Sequence, residues 1–216
     1  MKPIYVFDLD DTLLESSERF DKAILCILDE EGIAYDAQAV TATILPIGLE
    51  RTADYFQKVL GVSGSTDEIK RRINEKQLKL YRDVFALKPG VRAYLEGLIR
   101  TGARLFILTA TPKRLAVPAL QHNEILDLFE AVWSTEEDFG LNKDNEELFR
   151  RVAQRLEVHP SEICYFEDSF TALENAKRVG YMTYPVFYKQ TSEQIAQLKR
   201  DHRHFVYSFE DLSKEK

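Results

Sequence analysis

The sequence predicts an α/β protein: a Rossmann-like parallel sheet flanked by helices, with an all-helical cap inserted after the first strand. Three observations carry this. Short apolar runs rich in β-branched and aromatic residues recur along the 216 residues, helical patterns separate the later runs, and one long interval holds helical patterns alone. Runs of that kind read as strands buried on both faces, as a parallel sheet covered by helices requires.

The first run, IYVF at 4–7, is a predicted strand that ends in three aspartates within four positions, Asp8, Asp10 and Asp11. From 15 to 86 no strand pattern follows, but FDKAILCILDEEGI and DEIKRRINEKQLKLYRDVF are amphipathic at helical spacing. A helical insert accounts for that interval better than a structureless connection, which compact domains seldom hold at such length. LKPG at 87–90 reads as the return hinge. Strand and helix then alternate: helix 91–100, strand RLFIL at 104–108, helix 112–128, strand AVW at 131–133, helix 144–156, strand ICYF at 163–166, helix 170–179 and strand MTYPVF at 182–187. The expected organisation is a discontinuous catalytic core, 1–14 with 87–216, and a helical cap at 15–86.

With 44% hydrophobic residues and no low-complexity tract, the chain can bury a full core, which excludes disorder. A net charge of −7 argues against a nucleic-acid partner and favours a small ligand; an anionic one needs positive charge built into its site. No window approaches the about 18 apolar residues of a membrane helix, and the first apolar run meets Asp8 too soon for a signal peptide, so a cytoplasmic protein with no membrane partner is expected. The oligomeric state is left open. Cys26 and Cys164 suggest neither a disulfide framework nor a zinc site, and Cys164 is expected to be a small buried core residue. His202 and His204, in the charged DHRHF, are expected to be solvated. The acidic run TEEDF at 135–139 reads as loop and helix-start charge.

Ligands of an open parallel sheet bind beyond the carboxyl ends of its strands. Asp8 and Asp10 sit at such an end, and their i, i+2 spacing in extended chain points both side chains to one side. At ~4 Å and an effective dielectric near ~20 two carboxylates repel by about 4 kcal/mol, so positive charge must join them. The second strand ends in Thr109, the fourth in Glu167 and Asp168, and Lys143 lies in the loop before the intervening helix. Several carboxylates, a hydroxyl and a lysine would converge on one crevice, an oxygen-rich set that suits Mg²⁺ shared with a substrate phosphate.

These residues resemble the motifs of the haloacid dehalogenase superfamily. FDLDDTL is similar to its first motif, Asp-x-Asp-x-Thr at a strand end; LFILTAT to the second, closing on Thr109; Lys143 in LNKDNEELF to the third; and CYFEDSFTALENAKRVG to the acidic fourth. All four stand in order across essentially the whole chain, with the helical insert where the family places its C1 cap. FEDS is most like the beta-phosphoglucomutase and phosphatase branch.

The resemblance implies a Mg²⁺-dependent phosphatase acting on a small phosphorylated metabolite such as a sugar phosphate, a nucleotide or phosphoglycolate. Asp8 would be the nucleophile that forms an aspartyl-phosphate, and Asp10 the general acid and then base. Thr109, Ala110 and Lys143 would bind the phosphoryl group, and Asp8, the backbone carbonyl of Asp10 and Asp168 would hold the metal, with Glu167 a direct or water-mediated ligand. Thr111 and Pro112 read as N-cap and first residue of the next helix, leaving amides there for phosphate. Thr12 reads as capping a local turn. In LPIGLERTADYF, at 45–56, Gly48 is expected in a short turn ahead of a helix, and Arg51 resembles the arginine with which beta-phosphoglucomutase binds its substrate's second phosphate.

Some positions depart from the family pattern. Asp11 stands where glycine is common, Asp144 where proline usually follows the lysine, and Ala172 where glycine, asparagine or aspartate is frequent. Phe20 replaces the histidine of the mutase branch, which ranks hydrolysis ahead of phosphomutase transfer. A dehalogenase needs neither Asp10 nor a metal. A phospho-accepting signalling receiver shares the acidic pocket, hydroxyl and lysine, but the helical insert fits it badly.

Overall fold

The protein is described by a computed structural model covering residues 2–44, 47–187 and 190–212. It divides into two compact units, one formed by Met1–Glu15 with Ala86–Lys216 and the other by Ser16–Phe85. The first unit holds a five-stranded sheet in the order β3-β2-β1-β4-β5, with every pairing parallel. Its strands are β1 (Ile4–Phe7), β2 (Arg104–Thr109), β3 (Ala131–Ser134), β4 (Ile163–Glu167) and β5 (Met182–Pro185). The second unit holds α1 (Ser17–Glu30), α2 (Ala37–Ile44), α3 (Gly48–Lys58) and α4 (Thr66–Asp83); the first continues with α5 (Val91–Arg100), α6 (Lys113–His122), α7 (Thr135–Phe139), α8 (Glu146–Leu156), α9 (Phe170–Val179), α10 (Ser192–Asp201) and α11 (Phe209–Leu212).

Side-chain alternation along the strands builds a core on each face of the sheet. Ile4 and Val6 of β1, Phe106 and Leu108 of β2, and Ile163 and Tyr165 of β4 pack with Leu148, Phe149 and Val152 of α8 and Ala172 and Ala176 of α9. The alternate residues face the other way, where Phe7 lies 4.7 Å from Phe166 and Phe166 lies 5.8 Å from Tyr94 of α5 and 6.3 Å from Phe209 of α11, ring centre to ring centre. This second layer requires Gly90. It takes φ +83°, and a Cβ there would stand 2.3 Å from the Glu210 amide nitrogen at the start of α11, so only glycine fits.

β1 is the central strand, in register with β2 on one side and β4 on the other (Phe7 opposite Ile107 and Phe166). Beyond Phe7 the chain folds into a tight turn: the amides of Leu13 and Leu14 both donate to the Leu9 carbonyl, and Asp11 adopts left-handed backbone with φ 54°. Leu14 then pairs antiparallel with Leu87, the Lys88 amide donates to Leu13 O at 2.8 Å and the Glu15 amide to Ala86 O at 3.0 Å. The outgoing and returning chain are thereby laced together inside this unit.

Several expectations change. The helix expected over 112–128 ends at His122; Glu124 takes φ 50°, and only a 3₁₀ turn, Leu126–Leu128, follows. His202 is buried, not solvated. Its Nδ1 lies 2.6 Å from Thr183 Oγ1 on β5 and its Nε2 3.2 Å from Glu174 Oε1 on α9, which satisfies both ring nitrogens of a side chain that charged neighbours made look exposed. His204 is exposed and stacks on Tyr184 at 4.7 Å. Cys164 is only half-buried, on the face where β4 meets the edge strand, with Sγ 3.9 Å from Met182 Sδ. The 135–139 run forms α7, in which Asp138 accepts from the Ser134 amide at 2.9 Å and from Lys113 Nζ at 2.7 Å.

The Ser16–Phe85 unit has its own core, including Leu25, Leu28, Phe56, Ile69 and Ile73. A capping box, Ser65 with Glu68, opens α4, and Arg72 and Lys76 of α4 pair with Glu30 and Glu31 at the end of α1. Gly48 begins α3 instead of lying in a turn before it, whereas Leu45 and Pro46 lie outside the described residues. Among the described residues no helix is long and apolar enough to cross a membrane.

Candidate active site

Three strand ends deliver the site. Asp8 continues the alternation of Ile4 and Val6, and Glu167 that of Ile163 and Tyr165, so both carboxylates emerge on the α8–α9 side of the sheet. The Asp8 amide donates to the Phe166 carbonyl at 2.9 Å, holding β1 and β4 in register up to the acids. Lys143, in the loop before α8, pairs with Asp8 Oδ1 and lies 2.7 Å from Glu167 Oε2. Its side chain is only 13% exposed and the two carboxylates less, so this ion pairing is largely screened from solvent. Asn175 of α9 fixes the lysine's backbone by donating from Nδ2 to Lys143 O at 3.1 Å.

Glu167 has partners on both oxygens. Oε2 accepts from Lys143 and the buried Tyr165 hydroxyl; Oε1 accepts from the amides of Asp168 at 3.2 Å and Ser169 at 3.0 Å. Asp168 accepts from the Thr12 hydroxyl at 3.3 Å, and its carbonyl from Gln190 Nε2 at 2.7 Å. Thr12 therefore reaches across to β4 in place of the local cap expected of it. One oxygen from each of Asp8, Glu167 and Asp168 lies within 4.8 Å of the others.

The electrostatics record a shortage of positive charge. Burial, with the neighbouring Glu167 carboxylate, pushes Asp8 up to about 7 in spite of Lys143. Burial, then Glu167 and Asp8, push Asp168 up to about 9. Burial also acts on Glu167, but the charge and hydrogen bond of Lys143, with the Tyr165 hydroxyl and the Ser169 amide, hold it below the usual carboxyl range. For Lys143 burial is outweighed by Asp8 and Glu167, which keep the ammonium charged. Clustered hard oxygen donors, two of them with proton affinity raised by burial and by one another, fit a small divalent metal such as Mg²⁺.

Asp10 is turned elsewhere. Its Oδ2 accepts from the Thr111 hydroxyl at 2.5 Å, and the Thr111 amide donates to Thr109 Oγ1 at 3.0 Å. Thr109 ends β2, buried, and Ala110 follows it exposed. The helix expected to start with Thr111 as N-cap starts one residue later: Pro112 is the N-cap of α6, with φ −57° and ψ 142°, and the Thr111 hydroxyl goes to Asp10. Arg51 is exposed on α3, in the other unit.

Tyr165, Asn175 and Lys88 were not among the residues singled out in the sequence, and Thr111 was read there as a helix cap, not as a partner of Asp10. Lys88, read there only as part of a hinge, places Nζ on the Asp11 carbonyl; burial lowers its ammonium's affinity for a proton, and Asp168, Asp11, Glu15 and Asp8 oppose that. Tyr165 was discoverable, since it stands two residues before Glu167 on one strand and must share its face.

The family model for haloacid dehalogenase-like hydrolases matches residues 5–186. A phosphorylated carbohydrates phosphatase of Thermotoga maritima is 25% identical over 176 residues, covering 81% of this chain and 80% of its own length. The validoxylamine A 7'-phosphate phosphatase of Streptomyces hygroscopicus subsp. limoneus is 24% identical over 197 residues, 91% of each. Among solved structures, a candidate beta-phosphoglucomutase from Thermotoga maritima superposes with a TM-score of 0.82 at 23% identity, covering 100% of this chain and 98% of that one. The parallel sheet and its acidic crest are thus those of a hydrolase. The chain belongs to the haloacid dehalogenase-like hydrolase family.

Proposed function

We propose that the protein is a Mg²⁺-dependent phosphatase that hydrolyses a small phosphorylated carbohydrate through an aspartyl-phosphate on Asp8. The observation that carries this reading is the buried contact of Lys143 with both Asp8 and Glu167 at adjacent strand ends. An Asp8 carboxylate acting as nucleophile would there stand beside a fixed cation able to receive phosphoryl oxygens. The substrate class rests on the relatives, whose names specify phosphorylated carbohydrates and a validoxylamine phosphate.

In this reading the Asp8 carboxylate attacks phosphorus, the phosphorus–oxygen bond to the sugar breaks, and the departing oxygen takes the Asp10 carboxyl proton. A water then attacks the same phosphorus, giving its proton to the Asp10 carboxylate, and the bond to Asp8 breaks to release inorganic phosphate. Lys143 and Thr109 hold the non-bridging oxygens through both steps. Asp8, Asp168 and the Asp10 carbonyl would hold Mg²⁺, while Glu167, whose oxygens serve Lys143, Tyr165 and two amides, anchors the lysine and would be a direct or water-mediated ligand. Bound there, Mg²⁺ would offset the charge of the carboxylates and the phosphate. Substrate discrimination is assigned to the Ser16–Phe85 unit, with Arg51 reading a group distal to the phosphate.

The test is phosphate release from a panel of sugar, polyol and nucleotide monoesters, with Mg²⁺ and with chelator. Turnover that needs Mg²⁺ and vanishes in Asp8→Asn is expected. Undiminished release with chelator, or by Asp8→Asn, rejects the reading.

A further inference from the structure

Thr111 contacts both the turn after β1 and the end of β2. Its hydroxyl donates to Asp10 Oδ2 at 2.5 Å across 101 positions of sequence, and its amide donates to Thr109 Oγ1 at 3.0 Å. Both contacts arise in the short connection between β2 and α6, where Pro112, with no amide hydrogen and a fixed φ, stiffens the backbone immediately after Thr111. The contact engages one oxygen of Asp10, Oδ2, with a neutral donor. A carboxyl attached to a turn rotates about two side-chain bonds, and a hydroxyl contact of this length removes most of that freedom.

We infer that Thr111 is a positioning residue for the reaction: its hydroxyl fixes the Asp10 carboxyl in the orientation from which it passes a proton to the leaving oxygen, while its amide orients the Thr109 hydroxyl. The inference rests on the acid role given to Asp10 under the proposed function. It makes a demand that a merely structural threonine does not. In the first step, which kcat/KM reports, fixing the acid matters only when the leaving group needs a proton. A sugar alkoxide needs one; p-nitrophenolate leaves without it.

The experiment compares kcat/KM for glucose 6-phosphate and for p-nitrophenyl phosphate in the intact protein and in Thr111→Val, Thr111→Ser and Asp10→Asn, with thermal melts of each. Thr111→Val keeps the shape and the amide but loses the hydroxyl. It should lose roughly ten- to a hundredfold on the sugar phosphate, part of the ~10²–10⁴ that a general acid supplies, and under about threefold on the aryl ester. Thr111→Ser, which restores the hydroxyl, should stay within about threefold of the parent on both. Should Thr111→Val fail to fold, Thr111→Ala takes its place with the same expectation. Equal losses on both substrates, or no loss on the sugar phosphate, overturn the inference. If Asp10→Asn is selective against the sugar phosphate while Thr111→Val is not, the inference alone fails. If Asp10→Asn shows no selectivity either, the acid role of Asp10 falls with it.

Discussion

Lys143 Nζ lies 2.7 Å from Glu167 Oε2, and the same nitrogen pairs with Asp8, so a single ammonium holds two buried carboxylates in place. Removing one partner of a buried pair leaves charge without compensation, at a cost of about 3 kcal/mol or more. Lys143→Met should therefore lose turnover and also melt earlier. Because Asp8 and Asp168 can take up protons in place of the lost cation, the melting deficit should shrink as pH falls from 8 to 5.5. Thermal melts across pH check this; a deficit independent of pH would mean that the lysine acts by packing alone.

The raised carboxyls set the sign of a second dependence. A carboxyl whose folded value lies above its unfolded one stabilises the fold while protonated, and that stabilisation disappears as pH rises through the folded value. With Asp8 at about 7 and Asp168 at about 9, the metal-free protein should lose stability between pH 6 and 9. If these acids hold Mg²⁺ as proposed, the ion competes with protons for them, so its binding should tighten over the same window and the rise in Tm at fixed Mg²⁺ should be larger at pH 8 than at pH 6. Equal shifts at both values would place the metal away from these acids.

His202 predicts a loss at the acid end. Burial lowers its proton affinity, against the pull of Glu174, so the unfolded chain protonates first, near its ordinary ~6.5. Stability should then fall as pH drops below that point, until the folded imidazole titrates too. His202→Gln should cost stability at pH 8, through lost contacts with Thr183 and Glu174, yet flatten the decline between pH 7 and 5. An unchanged slope would assign the decline to other groups.

Arg51→Ala tests the role assigned to the helical unit. If Arg51 reads a distal group, kcat/KM for the true substrate should drop by roughly ten- to a hundredfold, while p-nitrophenyl phosphate, which lacks the group, is hydrolysed as before. A steady-state comparison of the two substrates decides it, and equal losses would leave Arg51 a solvated side chain.

The strands and most helices were legible because each is a local pattern. IYVF, RLFIL and ICYF announce buried strands, and 170–179 carries both its helical period and its cap, Ser169. Glu167, Asp168 and Thr109 could be placed because strand ends in a parallel sheet share one edge. What escaped depends on partners distant in sequence. Thr111 looked like a helix cap because a threonine before proline usually is one, whereas its partner Asp10 lies 101 residues away. His202 looked solvated among Asp201 and Arg203, since neither Thr183 nor Glu174 is visible in the local sequence.

The central place of β1 has a consequence for the order in which the protein is made. The strand leaves the ribosome well before its partners, Arg104–Ile107 and Ile163–Phe166, so it stays unpaired until they too have been synthesised. The Ser16–Phe85 unit, whose core lies among near neighbours in sequence, is synthesised in full before that. Nascent chains should thus carry a folded helical unit behind an unsatisfied apolar strand, and the interval before β4 emerges is when IYVF is most open to chaperones and to pairing with another chain.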